Sequence, residues 1–203
     1  MALHELSLFS GAGGGLLGSK LLGWKTICAV EQDPYCIEVL KQRQRDGLLE
    51  PCPIWDDVRT FDGRPWRGLL HHGVVSAGFP CQPFSVGGEQ KAADDERNMW
   101  PDTARILSEC NPRWVLLENV PGLLGAGKGP GRQAYFGTIL GDLCALGYDC
   151  RWGCISAESI GAPHRRDRLW IVAHADYTRS AAPGGSAYSK RQTPENKRRN
   201  TQS

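Results

Sequence analysis

The segment from Leu6 to Leu40 constrains the fold more than any other. Leu6-Ser7-Leu8-Phe9 reads as a short apolar strand and Ser10-Gly11-Ala12-Gly13-Gly14-Gly15 as a glycine loop. The leucines of Leu16 to Leu22 recur near helical spacing, and Gly23 stands where a glycine ends a helix. Thr26-Ile27-Cys28-Ala29-Val30 is a second strand that ends in Glu31. Asp33-Pro34 then opens a helix as N-cap and first-turn proline, with Cys36, Val39 and Leu40 on one face. Strand, helix and strand in this order form a βαβ crossover, whose strands lie parallel.

The same alternation continues along the chain. Pro51-Cys52-Pro53 is a turn, and Ile54-Trp55 leads into Asp56-Asp57-Val58, read as the tip of a third strand. Gly73-Val74-Val75-Ser76-Ala77 is a buried strand running into Gly78-Phe79-Pro80-Cys81-Gln82-Pro83-Phe84-Ser85. Residues Val86 to Asn98 are polar and contain glycine, as a mobile loop would. A helix is expected to start by Asp102, with Trp100, Ala104 and Leu107 as its buried stripe. Arg113 to Leu117 is another strand, followed by Glu118-Asn119-Val120-Pro121-Gly122. Phe136, Ile139, Leu140, Leu143 and Leu146 keep a helical period ended by Gly147. Tyr148 to Ser156 and Leu169 to Ala173 read as strands, the second preceded by His164-Arg165-Arg166-Asp167-Arg168. Each strand places a functional-looking residue at its end, which predicts a three-layer, doubly wound α/β fold of the Rossmann-like type with a mostly parallel sheet.

The chain of 203 residues is long enough for one sizeable core, and 40% hydrophobic and 23% charged residues are ordinary for a globular protein. The net charge of +2 is unevenly spread: from His174 onward six basic residues face two acids, which leaves the first 173 residues at −2. The expected organisation is a cofactor-binding and catalytic domain over 1–173 and a basic, disordered tail over 174–203. No apolar run nears the ~20 residues that span a bilayer, and the N-terminus lacks the order of a signal peptide, so a cytoplasmic protein is expected. The eight cysteines form no CxxC pair, and they are expected to be mostly free core thiols, with no metal site.

Gly13-Gly14-Gly15-Leu16-Leu17-Gly18 matches the dinucleotide pattern GxGxxG, which arises often by chance and can equally be a turn that only passes a strand into a helix. Glu31 sharpens it: a glycine loop with a strand-tip carboxylate suits the phosphate or ribose end of an adenosine-containing cofactor. Cys81 sits between two prolines, which fix their own φ and hold Phe79 and Gln82 extended. A single cysteine is otherwise a small buried hydrophobe.

Taken in order, these stretches resemble the catalytic domain of the C5-cytosine-specific DNA methyltransferases. The matching residues are Phe9-Ser10-Gly11-Ala12-Gly13-Gly14, Glu31, Asp57-Val58, Gly78 to Ser85, Glu118-Asn119-Val120 and Arg166-Asp167-Arg168, over about residues 5 to 173. The resemblance implies S-adenosyl-L-methionine as cofactor. It would be held by Phe9 to Gly14, Glu31 and Gln32 at the ribose, Asp57 and Val58 at the adenine, and Gly78 and Pro80. It also implies that Cys81 adds to C6 of a cytosine flipped out of double-stranded DNA, making C5 nucleophilic enough to take the methyl group. Glu118 would contact N3 and the exocyclic amine, and Arg168, with Arg166, would supply positive charge near the ring and fix O2. Asn119 orders its turn rather than reacting.

The chain departs from the family pattern in two places. His164 stands where the family usually has glutamine, and the later family motifs, including the target-recognition region, are absent. Two readings of the same fold therefore stay open: a truncated methyltransferase, or one subunit of a split enzyme whose second polypeptide supplies target recognition. A nucleotide-binding Rossmann oxidoreductase and a catalytically inactive DNA-binding remnant remain as alternatives.

Overall fold

The computed structural model describes residues 2–80, 98–124 and 130–175, with 130–134 described in backbone only. Seven strands form one sheet: β1 (His4–Leu8), β2 (Lys25–Val30), β3 (Ile54–Trp55), β4 (Val74–Ala77), β5 (Trp114–Asn119), β6 (Tyr148–Ser156) and β7 (Asp167–Ala175). Their spatial order is β3-β2-β1-β4-β5-β7-β6. The first five are parallel, and β7 runs antiparallel between β5 and β6. The chain reverses direction across the sheet at β1–β4, where Leu8 lies beside Ala77, so the ends of β1, β2, β4 and β5 emerge along one edge. In open α/β sheets ligands bind at such a switch point.

The two sheet faces differ in chemistry because residues alternate sides along a strand. Leu6 and Leu8 of β1, Val75 and Ala77 of β4, Val115 and Leu117 of β5 and Ile171 and Ala173 of β7 are all buried on one face. Against them pack helix α4 (Trp100–Cys110), through Trp100, Ala104 and Leu107, and helix α5 (Pro130–Ala145), through Ile139 and Leu143. Trp100 Nε1 donates to Asp142 at 2.8 Å and ties the two helices together. The short helix α3 (Arg67–Leu70) adds Leu70 to this core.

Among the described residues, helices cover the opposite face over β1 to β3. There α1 (Gly14–Leu21) and α2 (Pro34–Arg45) close a small second core of Leu16, Ala29, Leu40 and Leu49. Over β1, β4, β5 and β7 this face forms a groove of about 970 Å³ lined by Ser7, Ser76, Leu116, Glu118, Arg168 and Trp170 among others.

The fold expectation is met, and local boundaries shift. Asp56-Asp57-Val58 is not a strand tip: β3 stops at Trp55, and Asp57 accepts the Arg59 N–H at 2.9 Å, turning the chain as aspartate often does. Helix α4 starts at Trp100, in keeping with the expected start by Asp102, and the Asn98 side chain accepts the Trp100 N–H at 3.2 Å. Strand β7 begins at Asp167 and runs through Ala175, so Arg168 lies within a strand, paired with Ile155. The cysteines among the described residues are free as expected, yet of these only Cys28 and Cys110 are buried, while Cys144 and Cys154 are exposed. The loop from Val86 to Arg97 and the tail from Asp176 lie outside the described residues. No helix among the described residues is long and apolar enough to cross a membrane, and they contain no group of three or more His, Cys, Asp or Glu side chains placed to hold a metal.

Candidate active site

The glycine loop leaves β1 through a left-handed residue, Phe9 at φ 55°, followed by Gly11 at φ 54° and Gly13 at φ 86°. A phenylalanine in that region is strained, and such strain is found most often where the local backbone serves a function. Its aromatic ring packs on the main core, which holds the turn in place. Ser10 supports it from within, donating to the Ser7 carbonyl and hydroxyl, both at 3.0 Å. The turn carries the Gly11 N–H to Glu31, whose Oε2 accepts it at 2.6 Å, while Oε1 accepts the Asp33 N–H at 2.9 Å. Two of about four acceptor positions on that carboxylate are thus used by the backbone, and two are left for a diol.

Helix α2 shapes the loop from beneath. Arg43 donates to the Ala12 carbonyl at 2.6 Å, and a Cβ added at Gly13 would lie 2.7 Å from Leu40 Cδ2. Only a glycine fits there, both for its positive φ and for its closeness to Leu40. Gly18 is different: a Cβ there meets nothing within 4 Å. In the dinucleotide fingerprint the third glycine exists for close helix–strand packing. The match at Gly13 to Gly18 therefore lacks its physical reason, which counts against the oxidoreductase alternative.

At β4 the chain leaves the sheet after Ala77 into Gly78, Phe79 and Pro80. Phe79 is buried against Trp100, with ring centroids 5.5 Å apart. Its carbonyl accepts the Asn119 side-chain N–H at 3.1 Å, and the same side chain accepts the Val120 N–H at 2.8 Å. Asn119 thus fixes the segment that enters Cys81 as well as its own turn. Cys81 itself lies outside the described residues.

Glu118 stands opposite Trp170 in the β5–β7 ladder, and Arg168 is two residues along β7 on the same face. That diagonal placement brings them together: Arg168 Nε meets Glu118 Oε1 at 2.5 Å. The other carboxylate oxygen faces the β4 exit, 3.4 Å from where a Gly78 Cβ would be. Arg168 also donates to the Asp167 carbonyl at 2.9 Å. Arg166 is exposed at the rim of the same groove.

Phe9, Ser10, Gly11, Ala12, Gly14, Gly78, Glu118, Arg166 and Arg168 all line one groove. Glu31, Gln32, Gly13, Asp57, Val58 and Pro80 do not line it. Gln32 and Pro80 are exposed, and the Val58 side chain is in the core, so this residue can offer a ligand its backbone only.

Sequence reading missed Glu5. This carboxylate on β1 is 1% exposed and accepts from Ser19 at 2.8 Å, Thr26 at 2.9 Å and Ser76 at 2.7 Å. The alternation of Glu5 and Ser7 with Leu6 and Leu8 was the available signal. Burial pushes the Cys28 and Cys110 thiols up to about 12 and those of Cys52 and Cys150 up to about 11, so none of these four is a ready nucleophile.

The family model for C-5 cytosine-specific DNA methylase matches residues 3–203. The chain is 32% identical over 173 residues to the type II methyltransferase M.NgoMIV of Neisseria gonorrhoeae, covering 85% of this chain and 52% of that protein. It is 36% identical over 176 residues to the type II methyltransferase M.DsaV of Dactylococcopsis salina, covering 86% and 46% respectively. Among solved structures it resembles a protein described as a DNA modification methyltransferase encoded within a prophage (E. coli), with a TM-score of 0.66, 26% identity and coverage of 88% and 48%. The chain thus spans about half the length of the curated relatives it matches. With the family model matched over residues 3–203, the chain belongs to the C-5 cytosine-specific DNA methylase family.

Proposed function

We propose that this chain carries the catalytic half of a DNA (cytosine-5-)-methyltransferase, using S-adenosyl-L-methionine and Cys81. The observation that carries the reading is the shared edge. The Glu31-bound glycine loop, the β4 exit into Cys81 and the Glu118–Arg168 pair come from β1, β4, β5 and β7 and meet at one end of the sheet. The residues fit the cofactor, because Glu31 keeps acceptor capacity for a ribose diol beside a loop whose backbone turns through positive φ at Gly11 and Gly13.

When bound, S-adenosylmethionine supplies an electrophilic methyl group. Glu31 would hold the ribose hydroxyls, Gln32 would flank them, and Asp57 with the Val58 backbone would meet the adenine edge. The backbone of Phe9 to Gly14 and of Gly78 to Pro80 walls the pocket.

The Cys81 thiolate bonds to C6 of the flipped cytosine and pushes an electron pair through C5. Glu118, paired with Arg168 through Oε1 and with Oε2 at the β4 exit, would accept the exocyclic amine N–H of the base and, in its protonated form, donate to N3, where negative charge develops. Arg168 lies at the ring's O2, and Arg166 adds positive charge at the rim. C5 would take the methyl group as its bond to the cofactor sulfur breaks and a thioether leaves; water or hydroxide would then take the C5 proton, the C–H pair would form the C5–C6 double bond, and Cys81 would depart with the C6–S pair.

Double-stranded DNA is the substrate in this reading. His164, Arg165 and Arg166 on the β6–β7 connection are exposed and suited to phosphates. Base readout, which phosphate contacts do not provide, is assigned to chain outside the described residues or to a second polypeptide. The test combines calorimetry and trapping. The protein should bind S-adenosylmethionine and not NAD, and should form a denaturant-stable adduct with 5-fluorocytosine DNA that Cys81→Ala abolishes. Binding of NAD alone, or an adduct that survives Cys81→Ala, overturns the reading.

A further inference from the structure

The turn from Asp57 to Gly63 lies beyond the sheet, since β3 ends at Trp55, and the sheet ladder does not hold it. Part of it closes on itself, with the Asp57 carbonyl accepting the Thr60 and Phe61 N–H groups at 3.2 and 3.1 Å. Three of its other carbonyls converge on one side chain from helix α4. Arg105 donates through Nη1 to Phe61 O at 2.8 Å, and through Nη2 to Val58 O at 2.8 Å and Arg59 O at 3.3 Å. Glu109, one turn further along α4, accepts from Arg105 Nη1 at 3.1 Å with each carboxylate oxygen, and its Oε2 also takes the Gly63 N–H at 2.8 Å. Asp102 faces Arg105 from the turn before, at 3.5 Å. The turn also presses on the helix directly: a Cβ at Gly63 would lie 2.7 Å from Cys110 Sγ.

We propose that Arg105 is a positioning residue that sets the adenine end of the cofactor pocket by clamping the turn that carries Asp57 and Val58. The inference rests on the cofactor reading above. Three carbonyls in different directions need a planar fork of donors, which guanidinium has and the single ammonium of lysine lacks. With Phe61 buried between Trp55 and Trp66, at 6.0 and 6.1 Å between ring centroids, the turn is fixed on its apolar side too. Its polar side depends on Arg105 and Glu109.

The test measures binding of S-adenosylhomocysteine and of its inosine counterpart, which carries an oxo group in place of the 6-amino group, to the wild-type chain and to Arg105→Ala. Wild type is expected to prefer the adenosine form. Arg105→Ala is expected to lose about tenfold or more in affinity for the adenosine form and little for the inosine form, so that the discrimination collapses. Arg105→Lys should recover only part of it, and should carry the comparison alone if the alanine variant does not fold. Equal losses for both ligands, or unchanged discrimination, overturn the role of Arg105. Failure of the wild type to bind either ligand overturns the cofactor reading itself and is distinguishable from that outcome.

Discussion

The glycine loop offers a graded test, because three of its glycines sit in three different physical situations. Gly13 combines φ 86° with a prospective Cβ 2.7 Å from Leu40 Cδ2 and 3.2 Å from Leu49 Cδ1. Left-handed backbone costs a residue with a Cβ about 1–2 kcal/mol, and overpacking a tight core adds about 1–3 kcal/mol. Both leucines belong to the four-residue core between α1, α2 and the sheet, which has little slack. Gly13→Ala is therefore expected to destabilise by about 2–5 kcal/mol. Gly11, at φ 54° with nothing within 4 Å, has the backbone strain alone, so Gly11→Ala should cost about 1–2 kcal/mol. Gly14 opens helix α1 with space around it, and Gly14→Ala should be neutral or stabilising by up to about 1 kcal/mol. Equilibrium urea unfolding followed by circular dichroism reads all three, provided the m-value is constant across the series. If Gly14→Ala were as damaging as Gly13→Ala, or Gly13→Ala were harmless, the packing account of the loop would be wrong.

Asn119→Ala strips the buried Phe79 carbonyl and the part-buried Val120 N–H of their partner and should cost about 1–3 kcal/mol in unfolding free energy. It should also slow 5-fluorocytosine trapping, which a loss of stability alone would not do below the melting range. Buried thiols make stability fall in alkali: Cys28 and Cys110 stay protonated in the folded chain up to about pH 12, whereas unfolded thiols ionise near 9. The unfolded state thus binds fewer protons above pH 9, and stability is lost between 9 and 12 at up to about 1.4 kcal/mol per pH unit for each thiol. Urea midpoints at pH 8 and 10 check this, and Cys28→Ala with Cys110→Ala should flatten the slope. Iodoacetamide followed by mass spectrometry at pH 8 should label Cys144 and Cys154 long before Cys28 or Cys110.

Period and punctuation made most of the sheet legible. Asp33 caps α2 by accepting the Cys36 N–H at 3.0 Å, and Gly23 and Gly147 adopt the positive φ their positions required. What period could not reveal was where pairing stops. Asp57-Val58 reads as a continuation of β3, yet the Asx turn at Asp57 competes with the ladder and wins because β3 has a partner on one side only. Arg168 failed the other way: its polar run looks like a loop, and the antiparallel register with β6 draws it into the strand and onto Glu118. The clamp at Arg105 was invisible, since its partners are backbone carbonyls some 44 to 47 residues away, which leave no trace in side-chain pattern.

Glu5 is the sharpest case of a signal that needed a second element to interpret: alternation sets it on the polar side of β1, which reads as solvent-facing until α1 is laid over it. Its carboxylate joins three elements, taking Ser19 from α1, Thr26 from β2 and Ser76 from β4. Hydrogen bonds to a charged acceptor are worth about 1.5–3 kcal/mol each, against a substantial desolvation cost for burying the charge. Glu5→Gln keeps the shape and replaces one acceptor oxygen by a donor, so at least one hydroxyl must turn to accept. A loss of about 1–3 kcal/mol is expected. Because Ser19 anchors the helix that the glycine loop opens, the same variant should weaken S-adenosylhomocysteine binding, and a Ser76→Ala variant, on the far side of the carboxylate, should weaken it less. Equal stability for wild type and Glu5→Gln would mean that the three hydroxyls do not need the charge, and that the helix is held by its leucines alone.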